Sequence, residues 1–209
     1  MSLSKTYFAD VATQWDDLRS GFFTEEMRDA AIKKAGLSAA AVVADIGTGT
    51  GFMLQGLVPH TAQQVGFDES ADMLFIARQN LAAYPTVELH EAEGQQLPAA
   101  DNSFDAVFAN MYLHHTPDPL NAITEMARIL KPGGKLIITD LDSHDQSWMR
   151  EEMADRWLGF ERTTIQDWYK AAGLTHIDID CAEGTCDCAS PTAEAISLSI
   201  FVAIGQKRT

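Results

Sequence analysis

One stretch limits what this chain can fold into more than any other: Ala41-Val42-Val43-Ala44-Asp45-Ile46, followed at once by Gly47-Thr48-Gly49-Thr50-Gly51. The β-branched and alanine-rich run reads as a buried strand, and three glycines spaced two apart read as its turn into a helix. Glycine lets the backbone approach a ligand where a Cβ would collide. Two readings stand at this point: a nucleotide-type cofactor loop, or a tight strand-to-helix turn with no ligand. Dinucleotide loops usually run G-x-G-x-x-G with an acid on the next strand. Here the third glycine comes one residue early and an acid already stands at Asp45.

A second acid follows. Gln64-Val65-Gly66-Phe67-Asp68 reads as the next strand, ending in Asp68 about 20 residues after the loop, where a carboxylate can accept hydrogen bonds from both ribose hydroxyls. An exposed loop carboxylate is the plainer alternative. Residues 71–83 read as the helix behind it.

The order D-x-G-x-G-x-G from Asp45 to Gly51 resembles motif I of the class I S-adenosylmethionine-dependent methyltransferases, the small-molecule group that includes the quinone and arsenite enzymes. The resemblance continues through Asp68-Glu69-Ser70-Ala71-Asp72-Met73-Leu74, through Glu91-Ala92-Glu93-Gly94-Gln95-Gln96-Leu97-Pro98, through Asp101-Asn102-Ser103-Phe104-Asp105, and through Leu130-Lys131-Pro132-Gly133-Gly134. It implies an α/β, Rossmann-like sheet, mostly parallel with its last strand antiparallel at the edge, helices on both faces and a helical cap at the N-terminus. S-adenosylmethionine is the implied cofactor, with Asp45, Gly47, Thr48, Gly49 and Gly51 forming its loop and Asp45 reaching the methionine ammonium. Asp68 then takes the ribose and Met73 packs near ribose or adenine, although a Met at a helix start is also ordinary core. Glu93, with Glu91 as a competing alignment, accepts from the adenine amino group where the family usually has Asp. The Gly94 amide faces a ring nitrogen, and the Asn110 carbonyl meets the amino acid part.

Residues 104–110 read as the fourth strand, and Met111-Tyr112-Leu113-His114-His115 leaves it. A methyl on a sulfonium is already activated, so the protein mainly positions the acceptor and excludes water. Where the acceptor is a hydroxyl or carbon, a base is needed, and His114 and His115 are the catalytic candidates; a histidine shaping the loop is the alternative. Pro132 should stop the preceding helix, and the glycines after it should allow a sharp entry into strand five.

The 209 residues suit a single methyltransferase domain: a cap at 1–39, a cofactor-binding core at 40–141, and C-terminal helices and closing strands at 142–209. In the cap, Tyr7, Phe8, Trp15, Leu18, Phe22 and Phe23 stud a polar stretch, and residues 24–35 read as a helix stopped by Gly36. These aromatics either pack on the sheet or cover the cofactor and face its cation. Beyond Asp140, residues 147–159 read as one helix and 164–172 as another, while 174–180 and 196–204 read as strands. Residues 183–191 read as the one long irregular stretch. A net charge of −15 argues against a nucleic-acid partner. No apolar run is long enough to span a bilayer and no signal-peptide pattern opens the chain, so a cytoplasmic protein with a small-molecule substrate and no membrane partner is expected.

Cys181, Cys186 and Cys188 are the only cysteines and fall within eight residues of one another. They are either unliganded thiols or a soft-metal or arsenic site, although their spacing matches no standard zinc motif. Methyl transfer to a small molecule is the leading reading. A non-catalytic sensor or partner subunit, a metalloid methyltransferase using these thiols, and a nicotinamide oxidoreductase are the alternatives.

Overall fold

The computed structural model describes the backbone of residues 3–21, 23–189 and 195–209, with side chains from residue 5 onward except at 183–189 and 195. Phe22 and Pro191 lie outside the described residues. Three helices open the chain: α1 (Leu3–Val11), α2 (Trp15–Arg19) and α3 (Glu25–Ala35). The Thr24 hydroxyl caps α3 by accepting from the Met27 amide, and Gly36 closes it at a φ of +58, which only glycine adopts without strain.

The core then alternates β1 (Val42–Ile46), α4 (Phe52–Leu57), β2 (Gln63–Asp68), α5 (Ala71–Asn80), β3 (Val87–Glu91), β4 (Phe104–Asn110), α6 (Pro119–Ile129) and β5 (Leu130–Leu141). The chain closes with α7 (Met149–Glu152), α8 (Arg162–Ala171), β6 (Leu174–Ala189) and β7 (Ala195–Lys207). Strands run in the order β3-β2-β1-β4-β5-β7-β6. β1 through β5 are mutually parallel, and β7 is antiparallel to both its neighbours. The sheet is thus Rossmann-like with an antiparallel last strand, but that strand sits one place in from the edge, because β6 pairs outside it along nearly its whole length.

Alternation along the strands builds two cores. Ala44, Ile46, Val107, Ala109, Leu136 and Ile138 pack against Ile123 and Met126 of α6 and Tyr169 of α8. Val43, Ala106, Phe108 and Ile137 face the other way, onto α3, α4 and α5. Val43 and Ala44 are each completely buried on opposite faces, as a central parallel strand requires.

Three expectations change. Residues 147–159 are not one helix: only Met149–Glu152 is helical, because the Asp155 amide turns back to the Met149 carbonyl and Ala154 takes a φ of +57. Residues 183–189 are not irregular, since β6 continues through Ala189 by pairing with β7. α6 ends at Ile129, ahead of Pro132, and the strand begins at Leu130. Among the described residues, no helix is long and apolar enough to cross a membrane.

Candidate active site

Strand order reverses between β1 and β4, and the carboxyl ends on either side of such a switch point form a crevice. A cavity opens there, roofed by the N-terminal cap. Asp45, Gly47, Thr48, Gly49, Asp68, Met73, Glu93, Gly94, Asn110, His114 and His115 all line it. Gly51 does not: its φ of +90 starts α4, and a Cβ there would strike Leu81.

Asp45 is 1% exposed; its Oδ2 accepts from the Thr48 hydroxyl at 2.7 Å, while its Oδ1 is buried with no partner. Burial raises its pKa to about 7 against the pull of Thr48, with the nearby Asp68 adding to the rise. A buried acceptor left unmatched is costly, so the pocket is built to receive a donor at this point. Asp68 ends β2; its Oδ2 accepts from the Gly49 amide and its Oδ1 from the Ser70 amide, both at 2.8 Å. Burial lifts its pKa to about 6 despite those two bonds. A carboxylate has about four lone-pair sites, so capacity remains for ligand hydroxyls.

The loop between them is fixed by the Gly47 and Thr48 amides, which both donate to the Phe67 carbonyl, at 2.8 and 3.0 Å. Tyr112, which the sequence did not single out, packs its ring where a Cβ of Gly47 would stand and its hydroxyl where a Cβ of Gly94 would stand. Gly94, whose amide is expected to face a ligand nitrogen, lies against the Tyr112 hydroxyl. Of the two glutamates, Glu93 lines the cavity, whereas Glu91 finishes β3 outside it and accepts from Lys5. Met73 is buried against the cavity, its amide donating to the Ser70 hydroxyl that caps α5. Asn110 turns its side-chain oxygen to the Thr139 hydroxyl.

The cap is tied down by polar contacts. Asp16 of α2 accepts from the Thr50 hydroxyl at 2.6 Å and from the Asn80 amide at 3.0 Å, joining α2 to the glycine loop and α5. Tyr7, Phe8, Trp15 and Phe23 of the expected aromatic set face the cavity, while Leu18 is exposed and does not. Arg19, another residue the sequence reading passed over, also lines it. Its guanidinium lies 3.5 Å from the centre of the Phe52 ring, and its Nε is buried without a partner.

The two histidines differ sharply. His114 Nδ1 lies 2.7 Å from Asp140 Oδ1, and His114 Nε2 faces Asp155 at 3.7 Å. Although burial opposes it, the Asp140 charge and hydrogen bond, helped by Asp155, raise the His114 pKa to about 9. His115 is pushed well below the ordinary value, by burial first and by the His114 cation second, so its ring is neutral at pH 7. Of the two rings, His115 is the neutral one. Asp155 was invisible to the sequence reading because it fell within the expected helix. The Arg156 and Trp157 amides, donating to the His114 carbonyl at 3.0 and 3.1 Å, bring it 40 residues back to the site.

Cys181 is exposed, outside the cavity, with its sulfur 3.2 Å from an Arg162 nitrogen. Cys186 and Cys188 pair in backbone register with Leu198 and Ile196, but their side chains lie outside the described residues.

Comparison with known proteins agrees with this geometry. Residues 44–138 match the methyltransferase domain family. The chain is 31% identical over 166 residues to 2-methyl-6-phytyl-1,4-hydroquinone methyltransferase 1, chloroplastic, of Oryza sativa subsp. japonica, covering 78% of this chain and 50% of that one. It is 34% identical over 116 residues to demethylmenaquinone methyltransferase of Bacillus licheniformis, covering 54% of this chain and 50% of that one. The fold superposes with a TM-score of 0.72 on Haemonchus contortus phosphoethanolamine N-methyltransferase 2 in complex with S-adenosyl-L-methionine, at 19% identity over 87% of this chain and 52% of that one. The chain thus spans about half the length of each of these relatives.

Proposed function

We propose that the chain is a class I S-adenosylmethionine-dependent methyltransferase that transfers a methyl group from S-adenosylmethionine to a small-molecule acceptor held beneath the cap, a reading supported by the methyltransferase-domain match and the methyltransferase relatives. The observation that carries the reading is the pair of buried carboxylates at the head of the cavity, Asp45 with an oxygen that lacks a donor and Asp68 with lone pairs to spare. That donor set fits the cofactor: Asp45 suits an ammonium, Asp68 the two ribose hydroxyls, Glu93 an exocyclic amine, and the unmatched Arg19 Nε a carboxylate. When bound, S-adenosylmethionine supplies a methyl already activated by the sulfonium.

The protein's own work is then to orient and to exclude water. Phe8 and Trp15, packed edge to face, give the cavity an aromatic wall suited to a cationic centre. His115, neutral and in edge contact with Phe8 at 4.9 Å between ring centres, takes up the proton that a hydroxyl acceptor sheds as its oxygen gains the methyl. His114, cationic between Asp140 and Asp155, holds the turn.

The relatives' names refer to hydroquinone and menaquinone substrates. Phe8, Trp15, Phe23, Met149 and Met153 make one wall of this cavity apolar, which supports a flat, largely apolar acceptor with a reactive hydroxyl or ring carbon. A cytoplasmic location belongs to the same proposal, supported by the free thiol of Cys181. The test is incubation with methyl-labelled S-adenosylmethionine and a panel of hydroquinones, catechols and amines. Label moving into a hydroquinone or catechol supports this acceptor class; transfer to amines alone refutes it, and cofactor binding without transfer to any acceptor would point to a non-catalytic member of the family.

A further inference from the structure

His114, His115 and Asp155 form a cluster in which the proposed methyl transfer uses only the His115 ring and leaves Asp155 without a role. One ring nitrogen from each histidine and one Asp155 oxygen all lie within 4.8 Å of one another. His114 Nε2 is 3.7 Å and His115 Nδ1 is 3.8 Å from Asp155 Oδ1. Neither distance is a hydrogen bond. His115 Nδ1 is otherwise held only by a long 3.3 Å contact to the Ala154 carbonyl.

Asp155 supplies a second, independent observation. It is 4% exposed, it lines the cavity, and its Oδ2 is buried with no partner at all. That oxygen lacks a donor, and the two imidazoles stand 3.7 and 3.8 Å from the carboxylate, beyond hydrogen-bond reach. An outer shell is already in place, because His114 turns its other nitrogen to the fully buried Asp140 at 2.7 Å, the arrangement that orients metal-bound histidines.

We propose that His114, His115 and Asp155 form a binding site for a divalent transition-metal ion, of the zinc, cobalt or iron(II) kind, on the acceptor side of the cavity. Two imidazoles and a carboxylate suit such ions, with His114 giving up its Nε2 proton as the metal enters while Nδ1 stays hydrogen-bonded to Asp140. Bonds of 2.0–2.2 Å in a tetrahedral shell place ligand atoms about 3.4 Å apart, so the two edges to Asp155, 3.7 and 3.8 Å, need contract by a few tenths of an ångström, and the edge between the two imidazoles, within 4.8 Å, closes by rotation of the rings. The remaining positions face the cavity, where water or an acceptor oxygen completes the shell. In the metal-loaded state His115 is a ligand rather than a base.

The inference is independent of cofactor binding, and its test uses metal alone. The full chain is stripped with chelator and titrated with cobalt(II) and zinc(II), following visible d–d absorption and calorimetric heat. One equivalent of cobalt bound with nitrogen and oxygen ligation is expected, weakened at least tenfold by Asp155→Asn and by His115→Gln, and unchanged when Cys181, Cys186 and Cys188 are all replaced by serine. Circular dichroism checks that each variant folds, and His115→Gln decides the matter if Asp155→Asn does not. No stoichiometric binding by the parent chain, or binding that disappears with the cysteines and survives both site variants, overturns the proposal.

Discussion

Asp140 and His114, joined at 2.7 Å, lock the exits of β5 and β4 together in the interior of the protein. Asp140 is completely buried; its Oδ2 accepts from the Leu113 and His114 amides, and its Oδ1 from the Leu141 amide as well as meeting the His114 ring. One carboxylate thus fixes the turn that carries both candidate histidines.

Asp140→Ala leaves three amides and an imidazolium without their acceptor, so it should destabilise the fold by about 3–5 kcal/mol. Urea unfolding followed by fluorescence measures this. A loss under about 1 kcal/mol would mean that water replaces the carboxylate and that the turn is held elsewhere.

Asp68→Ala should weaken S-adenosylmethionine binding, since each hydrogen bond to a charged acceptor contributes about 1.5–3 kcal/mol. It also frees the Gly49 and Ser70 amides that position the loop. Asp68→Asn, which keeps one oxygen acceptor, should fall between the parent and the alanine variant in calorimetric affinity. Equal affinity in all three would refute the ribose assignment.

Gly94→Ala drives a methyl into the Tyr112 hydroxyl, while Gly47→Ala meets the Tyr112 ring and also needs an L residue at a φ of +69. Tyr112→Phe should therefore relieve part of the Gly94→Ala defect and little of the Gly47→Ala defect. Melting temperatures of the singles and doubles test this, and equal relief at both glycines would contradict the packing described.

Asp45 has a folded pKa of about 7 against a reference value of 3.8, so between those values the folded chain holds a proton that the unfolded chain has released. Its contribution to the stability of the ligand-free protein is therefore lost as pH rises from about 4 to 7, by up to a few kcal/mol at roughly 1.4 kcal/mol per unit. Relative to Asp45→Asn, the parent should lose stability over this window when unfolded with urea at several pH values. Parallel pH profiles would show that Asp45 is not buried as described.

What the sequence revealed and what it hid follow from distance along the chain. Asp45, the glycine loop and Asp68 were readable because a strand, a turn and a strand end lie within 24 residues, and their spacing alone sets which atoms meet. The sequence favours Glu93 over Glu91 by alignment alone; in space β3 ends at Glu91, and Glu93 is the one that lines the cavity. Asp155 could not be seen, since tertiary hydrogen bonds bring it to the site, from the Arg156 and Trp157 amides to the His114 carbonyl and from the Trp157 indole to the Thr116 carbonyl, and an apparently helical stretch masked the turn. Tyr112 gave no signal either, because its role is to fill space left by two glycines 47 residues apart.

The central claim is that the cavity beneath the cap is a S-adenosylmethionine site. Calorimetric titration of the purified chain with S-adenosylmethionine, S-adenosylhomocysteine and NAD tests it most directly. Saturable one-to-one binding of the first two, abolished or much weakened by Asp45→Ala and Asp68→Ala, with no heat from NAD, is the predicted result. Binding of NAD in place of the sulfonium compound, or no binding of any of the three by a folded protein, would contradict it.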